Sequence, residues 1–271
     1  MTTLELDAGV TRDGVVVISH ERRLVPDTAR DPDAQWLAAP GPLIHDLTYA
    51  ELERYDVGRL NPATRYARQF PDQVPADGAR IPRLADVFAL VKKAGNDAVR
   101  FNIEIKSSPE AQQETLPPDA FARTLIAAIR AAGMERRSMI ESFDWRSLKV
   151  VQAEAPEIPT VYLSARQSWL DNIHAADPAG SPWTDGVQFA AYGSVPKMVK
   201  AAGGRIWSPY WGDLDLEQLT EAHTLGLKVI VWTVNRPAQV DSMLDLGVDG
   251  LISDRPDLVR EVMRRRGLAL P

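Results

Sequence analysis

From Leu84 to the end of the chain, stretches of helical periodicity alternate with short, nearly continuous apolar runs, and no hairpin turn signal separates one pair from the next. A run of βα units without hairpins demands a parallel sheet, because parallel strands need a long crossover that a helix supplies. At 271 residues the chain is long enough to bury one large core, a common size for α/β barrels. Together these observations predict an α/β protein of the TIM (β/α)8 barrel type, read as one domain over 1–271 with an insertion at about 21–80.

The first strand is TLELD. Its apolar and acidic residues alternate, so Glu5 and Asp7 share one face while Leu4 and Leu6 pack behind. Thr11-Arg12-Asp13-Gly14 reads as a tight turn with positive φ expected at Gly14, and Val15 to Ile18 as a second strand that delivers His20 at its end. From Glu21 to Arg80 periodicity is lost and Pro, Gly and Asp accumulate, a segment too long for a plain barrel loop. Within it Thr48 and Glu51 have capping-box spacing before a short helix.

LADVFALVKKAG then reads as an amphipathic helix ended by Gly95, followed by the buried strand AVRFNIEIK. The alternation continues with FARTLIAAIRAAG and SMIESF, WRSLKVVQAEA and TVYLS, VPKMVKAAGG and RIWSPYW, LDLEQLTEAHTLG and KVIVWTV, PAQVDSMLDLG and DGLIS, and a closing helix from Pro256. LELD, NIEIK, MIESF, TVYLS, IWSPY, VIVWTV and GLIS give seven barrel strands, and GVQFA is left as loop because its flanks read as loop.

The net charge of -6 and a pI near 5.3 argue against a nucleic-acid surface, which needs a cationic face to release counterions. With no cysteine, disulfides, zinc thiolate sites and cysteine nucleophiles are excluded. No apolar run is long enough to span a membrane, and no basic-then-apolar leader precedes the first strand, so the sequence as written predicts a cytoplasmic location.

Catalytic groups of α/β barrels sit at the C-terminal ends of strands. Glu5 and Asp7 end one strand, and Glu104 and Lys106 end the next. Two carboxylates on one face repel each other unless a cation lies between them, and oxygen ligands suit Mg2+ or Ca2+. The bland alternative is a salt bridge between Lys106 and one of the acids. His20 is the candidate for proton transfer, since imidazole titrates near neutral pH. His45, His174 and His223 lack ligand spacing and read as surface or structural; His174 falls in a helix-like polar stretch. Trp232 reads equally as barrel core or as a wall of the mouth, and Phe143, Trp207, Tyr210 and Trp211 could line that mouth.

The run E-L-D-x-x-x-T-x-D-G-V-x-V-x-S-H resembles the glycerophosphodiester phosphodiesterases, and IPRLADVF, FNIEIK, ESFDW, VWTVN and GVDGLISDRP fall in the same order over nearly the whole chain. The resemblance implies a barrel enzyme that releases glycerol 3-phosphate and an alcohol from a small-molecule glycerophosphodiester. It implies Glu5, Asp7 and Glu104 as ligands of Mg2+ or Ca2+, Lys106 as a phosphate contact, His20 as the second catalytic histidine, Trp232 as an apolar wall for glycerol, and the insertion as a small subdomain over the barrel mouth. Relatives commonly have Asp after that histidine, where this chain has Glu21. They also begin with a strand ending in His-Arg-Gly and a Pro-Glu-Asn-Thr segment, which lie upstream of the part matching Thr3. The expectation is therefore a barrel without its first strand, weak metal binding and impaired hydrolysis, with periplasmic or secreted location if an upstream leader has been lost. Two other readings stand beside it: a phosphatidylinositol-specific phospholipase C-like enzyme, and a non-catalytic barrel that binds a phosphodiester or a partner.

Overall fold

The structure, a computed structural model, describes residues 2–270. Its first strand, β1 (Thr3–Val10), turns at Thr11–Gly14, where the Gly14 amide donates to the Thr11 carbonyl at 2.9 Å and Gly14 takes φ +81°. A side chain there would be strained, which is why the turn carries glycine. The chain returns as β2 (Val16–Ile18), antiparallel to β1 with Ala8 opposite Ile18. The insertion follows, with α1 (Tyr49–Leu52) as its short helix. Thr48 and Glu51 form the expected capping box.

The remaining elements alternate as the sequence anticipates. They are α2 (Leu84–Lys93), β3 (Arg100–Ile105), α3 (Pro118–Ala131), β4 (Ser138–Ser142), α4 (Trp145–Glu154), β5 (Thr160–Ser164), a two-stranded ribbon β6 (Arg166–Gln167) and β7 (Leu170–Asp171), α5 (Phe189–Tyr192), α6 (Val195–Ala201), β8 (Ile206–Pro209), α7 (Leu216–Thr224), β9 (Lys228–Val231), α8 (Pro237–Leu246), β10 (Gly250–Leu251) and α9 (Pro256–Arg265). Helix starts follow their local chemistry: Asp144 caps α4, Ser194 caps α6, Asp215 and Gln218 form a capping box on α7, and Pro237 opens α8 at a position where the missing N–H costs nothing.

The main sheet has eight strands in the order β10-β9-β8-β5-β4-β3-β1-β2. Parallel registers set Ile103 beside Ile140, Glu141 beside Val161, Tyr162 beside Trp207, Trp207 beside Val229 and Val231 beside Leu251. All seven strands expected of the barrel are present, and β2 is the eighth member of the sheet. This mixed sheet with interleaved helices is the α/β, TIM-type architecture that the alternation predicts. Phe189–Tyr192, which overlaps the end of the GVQFA segment left as loop, is a short helix.

Contacts divide the chain into two compact units. One contains the start of β1, Ala98–Glu104 and the chain from Glu135 onward, centred on buried strand residues such as Phe101, Ile103, Ile140, Val161 and Val229. The other contains Leu6–Asp97 and Ile105–Met134. There the insertion supplies its own apolar centre, where Leu24, Ala29, Ile44 and Leu52 cluster with Val17 and Ile81. Burying six such side chains is worth about 1.5–3 kcal/mol for each large one, so the insertion is held as a packed element rather than a loose loop. The IPRL motif belongs to the same arrangement: the Ile18 amide donates to the Pro82 carbonyl at 2.9 Å and Val17 bridges Arg83.

Candidate active site

Glu5, Asp7 and Glu104 each offer a carboxylate oxygen, and those atoms all lie within 4.8 Å of one another. The alternation on β1 puts two of the acids on one face. The third comes from β3, the next strand in the sheet. Glu104 is 7 % exposed, so its charge is held where water screens it poorly. Three carboxylates at such spacing form a hard-oxygen donor set that suits a divalent cation.

Lys106 follows β3 directly, and its Nζ lies 3.3 Å from Asp7 Oδ1 with both side chains largely buried. The ion pair weighed from the sequence is therefore real. It leaves the ammonium at the acidic group, where it can also face an anionic oxygen.

His20 lies two residues beyond β2, and the Ser19 amide beside it donates to the Asp7 carbonyl at 2.8 Å, which fastens this segment to β1. The imidazole Nδ1 donates to Glu21 Oε1 at 2.8 Å. Where relatives commonly have Asp, the longer Glu21 side chain reaches the ring. This hydrogen bond raises the His20 pKa above its ordinary value and lowers that of Glu21, with the charges of Lys106 and Asp7 acting on His20 in opposite directions.

The other histidines sit elsewhere. His45 Nε2 lies 2.9 Å from the Gln113 carbonyl, and His223 pairs with Asp249 at 2.9 Å. His174 is not helical: Asp171 Oδ1 accepts from the Ile173 and His174 amides, and His174 takes φ +49°. The aspartate side chain competes with the helix for those donors and wins.

A second group of side chains lies just past the strand ends. Trp232 is partly exposed one residue beyond β9, with its Nε1 donating to the Ser208 carbonyl at 2.9 Å. Phe143 meets it edge-on at 5.3 Å, Tyr210 lies 5.5 Å away and Trp169 6.0 Å away, while Trp211 packs on Tyr210. Trp207 does not line this group. It is 1 % exposed, and its Nε1 donates to Ser164 Oγ, which makes it core. Trp169 was not anticipated, because it is carried by the β6–β7 ribbon, whose two-residue strands are too short to show any periodicity.

Asn235 and Asp254 connect two of the motifs. The Asp254 amide donates to Asn235 Oδ1 at 2.9 Å, and Asn235 Nδ2 donates to Asp254 Oδ2 at 2.7 Å, so VWTVN and SDRP brace each other.

The model of the glycerophosphoryl diester phosphodiesterase family matches residues 1–258. A glycerophosphodiester phosphodiesterase of Caldanaerobacter subterraneus subsp. tengcongensis is 27% identical over 97% of this chain and 86% of its own length. A crystal structure from Silicibacter pomeroyi assigned to glycerophosphoryl diester phosphodiesterase superposes with a TM-score of 0.86 at 33% identity, covering 100% of this chain and 86% of that one. An Oleispira antarctica phosphodiesterase, solved in complex with the product sn-glycerol-3-phosphate, shares the fold with a TM-score of 0.65 at 18% identity over 97% of this chain and 85% of its own.

Proposed function

The chain belongs to the glycerophosphoryl diester phosphodiesterase family, and from that premise we propose that it hydrolyses glycerophosphodiesters to glycerol 3-phosphate and an alcohol with the help of a divalent cation. The observation that carries this reading is the convergence of the Glu5, Asp7 and Glu104 oxygens within 4.8 Å. Their donor chemistry fits Mg2+ or Ca2+. When bound there, such an ion polarises phosphoryl oxygens and offsets the charge that builds up on them.

The chain's own residues do the rest. Lys106 is a point charge for a non-bridging phosphate oxygen. His20, held by Glu21, gives a proton to the departing alkoxide, and its raised pKa keeps more of it protonated at neutral pH than an ordinary histidine would be. Trp232 offers an apolar face to the glycerol carbons. The reading treats the barrel and its insertion as one working domain.

The test is release of glycerol 3-phosphate from a glycerophosphodiester by the purified chain with Mg2+ or Ca2+, against an EDTA control. Release that stops with EDTA and falls in His20→Ala is expected. Metal-independent release, or none with either ion, would overturn the reading.

A further inference from the structure

The His20 side chain is 68 % exposed, so packing does not fix the imidazole. Its position depends on Glu21 and on the backbone that carries both residues. That backbone is anchored on either side. Before it, the Ser19 amide donates to the Asp7 carbonyl at 2.8 Å; after it, the Ile44 amide donates to the Arg22 carbonyl at 2.8 Å and the Leu24 amide to the Pro42 carbonyl at 3.1 Å. These bonds tie the segment to β1 and to the insertion.

A further anchor comes from the connection between β3 and α3, about ninety residues along the chain. Glu114, in a 3-10 turn at Gln112–Glu114, accepts from Arg22 Nε through Oε2 at 2.8 Å and from Arg23 Nη2 through Oε1 at 3.0 Å. One carboxylate thus holds two consecutive arginines. Its side chain is 20 % exposed, and those of Arg22 and Arg23 are 31 % and 35 % exposed, so water screens the pairs less than it screens a surface salt bridge.

The turn that carries Glu114 is itself braced. The Glu114 amide donates to the Ala111 carbonyl at 2.9 Å, and the Glu110 amide donates to Oγ of the buried Ser108 at 3.1 Å. His45 Nε2, at 2.9 Å from the Gln113 carbonyl, ties the insertion to the same turn a second time. Glu114 and Arg22 also line one small cavity together with Ser19, Glu21 and Lys106. The anchor therefore stands beside the residue that orients His20 and the residue given to the phosphate.

We propose that Glu114 is a positioning residue for the hydrolysis: by holding Arg22 and Arg23 at once it fixes the backbone from which His20 and Glu21 project, and it acts on the rate through His20. The proposal rests on the hydrolytic reading above and adds a residue to its machinery.

The test is a double-mutant cycle on release of glycerol 3-phosphate from glycerophosphocholine with Mg2+. Glu114→Gln keeps the shape of the side chain but trades one acceptor for a donor that an arginine cannot use. It is expected to lower kcat by about ten- to a hundredfold with KM nearly kept, the effect of a small displacement of a proton donor. In a His20→Ala background the same substitution is expected to change kcat by less than about twofold, because the group it positions is gone. The double variant Arg22→Gln, Arg23→Gln breaks the clamp from its other side and is expected to repeat both results. An unchanged kcat, a rise in KM alone, or an equal loss with and without His20 would each overturn the proposal. Amide hydrogen exchange over residues 19–24, read by mass spectrometry, is expected to quicken in Glu114→Gln while exchange in β4 stays as in the parent. If the parent chain hydrolyses no diester, the hydrolytic reading fails; the exchange measurement needs no activity, and unchanged exchange over 19–24 would overturn the clamp by itself.

Discussion

Glu5, Asp7 and Glu104 come from two strands and sit on the strands themselves, whereas Phe143, Trp169, Tyr210 and Trp232 are brought together from four places just beyond strand ends. The acidic group needs the strands. Like charges must be held within a few ångströms against their repulsion, and only paired backbone resists that force in a fixed geometry. The aromatic group has no repulsion to overcome. Hydrogen bonds at the ribbon and at Tyr210 and Trp211 hold the backbone that carries its rings. The charged group is therefore built into the sheet, and the aromatic group is left to the connections, where sequence can change without disturbing the sheet.

Substitutions on the two sides should separate rate from affinity. The largest effect belongs to the acid–base side: His20→Ala is expected to lower kcat by about 10^2 to 10^4-fold, the usual worth of a positioned proton donor, with little change in substrate affinity. A variant that instead loses only affinity would move His20 into the binding role given to the rings. Next, Glu104→Gln is expected to weaken Mg2+ or Ca2+ binding by about a hundredfold in calorimetric titration, since one anionic ligand of three is lost. The same variant should melt at a slightly higher temperature than the parent in EDTA, because a buried like charge has been removed. A lower melting temperature in EDTA would show that Glu104 is held by attraction and not against repulsion.

On the aromatic side, Trp232→Ala is expected to raise KM about tenfold with kcat nearly kept, as suits apolar contact made equally in ground and transition states. The smallest expected change is one of pH. The Glu21 carboxylate raises the His20 pKa by accepting its proton-bearing Nδ1, so the protonated donor persists to higher pH and activity falls as pH rises through that raised value. Glu21→Gln removes the carboxylate, and the descending limb of the pH–rate profile should move to lower pH. A limb that stays in place would show that another group limits the rate.

The same contrast decides what the sequence could tell. Alternation along TLELD and NIEIK exposed three acids and their shared face, because strand periodicity is two and nothing tertiary is needed to read it. Gly14 and the Thr48–Glu51 cap were legible for similar reasons, being local backbone demands. Trp207 and Trp232 were not separable. Both lie in or beside strands among apolar residues, and only the register that buries Trp207 at β8, against a position one residue past β9 for Trp232, tells them apart. Trp169 was hidden altogether, since a ribbon of two-residue strands leaves no pattern. His174 misled because a run of polar residues has helix-compatible spacing until Asp171 takes the amides for itself.

The Lys106–Asp7 pair bears on how the acidic group is held together. A chain that gathers three carboxylates with no cation among them would be pushed apart at that point while it folds. Here Asp7 has an internal counter-ion in Lys106, a residue adjoining the strand that brings in Glu104. Under the proposed reading, an ion taken up by the three acids would therefore meet an ammonium already beside Asp7.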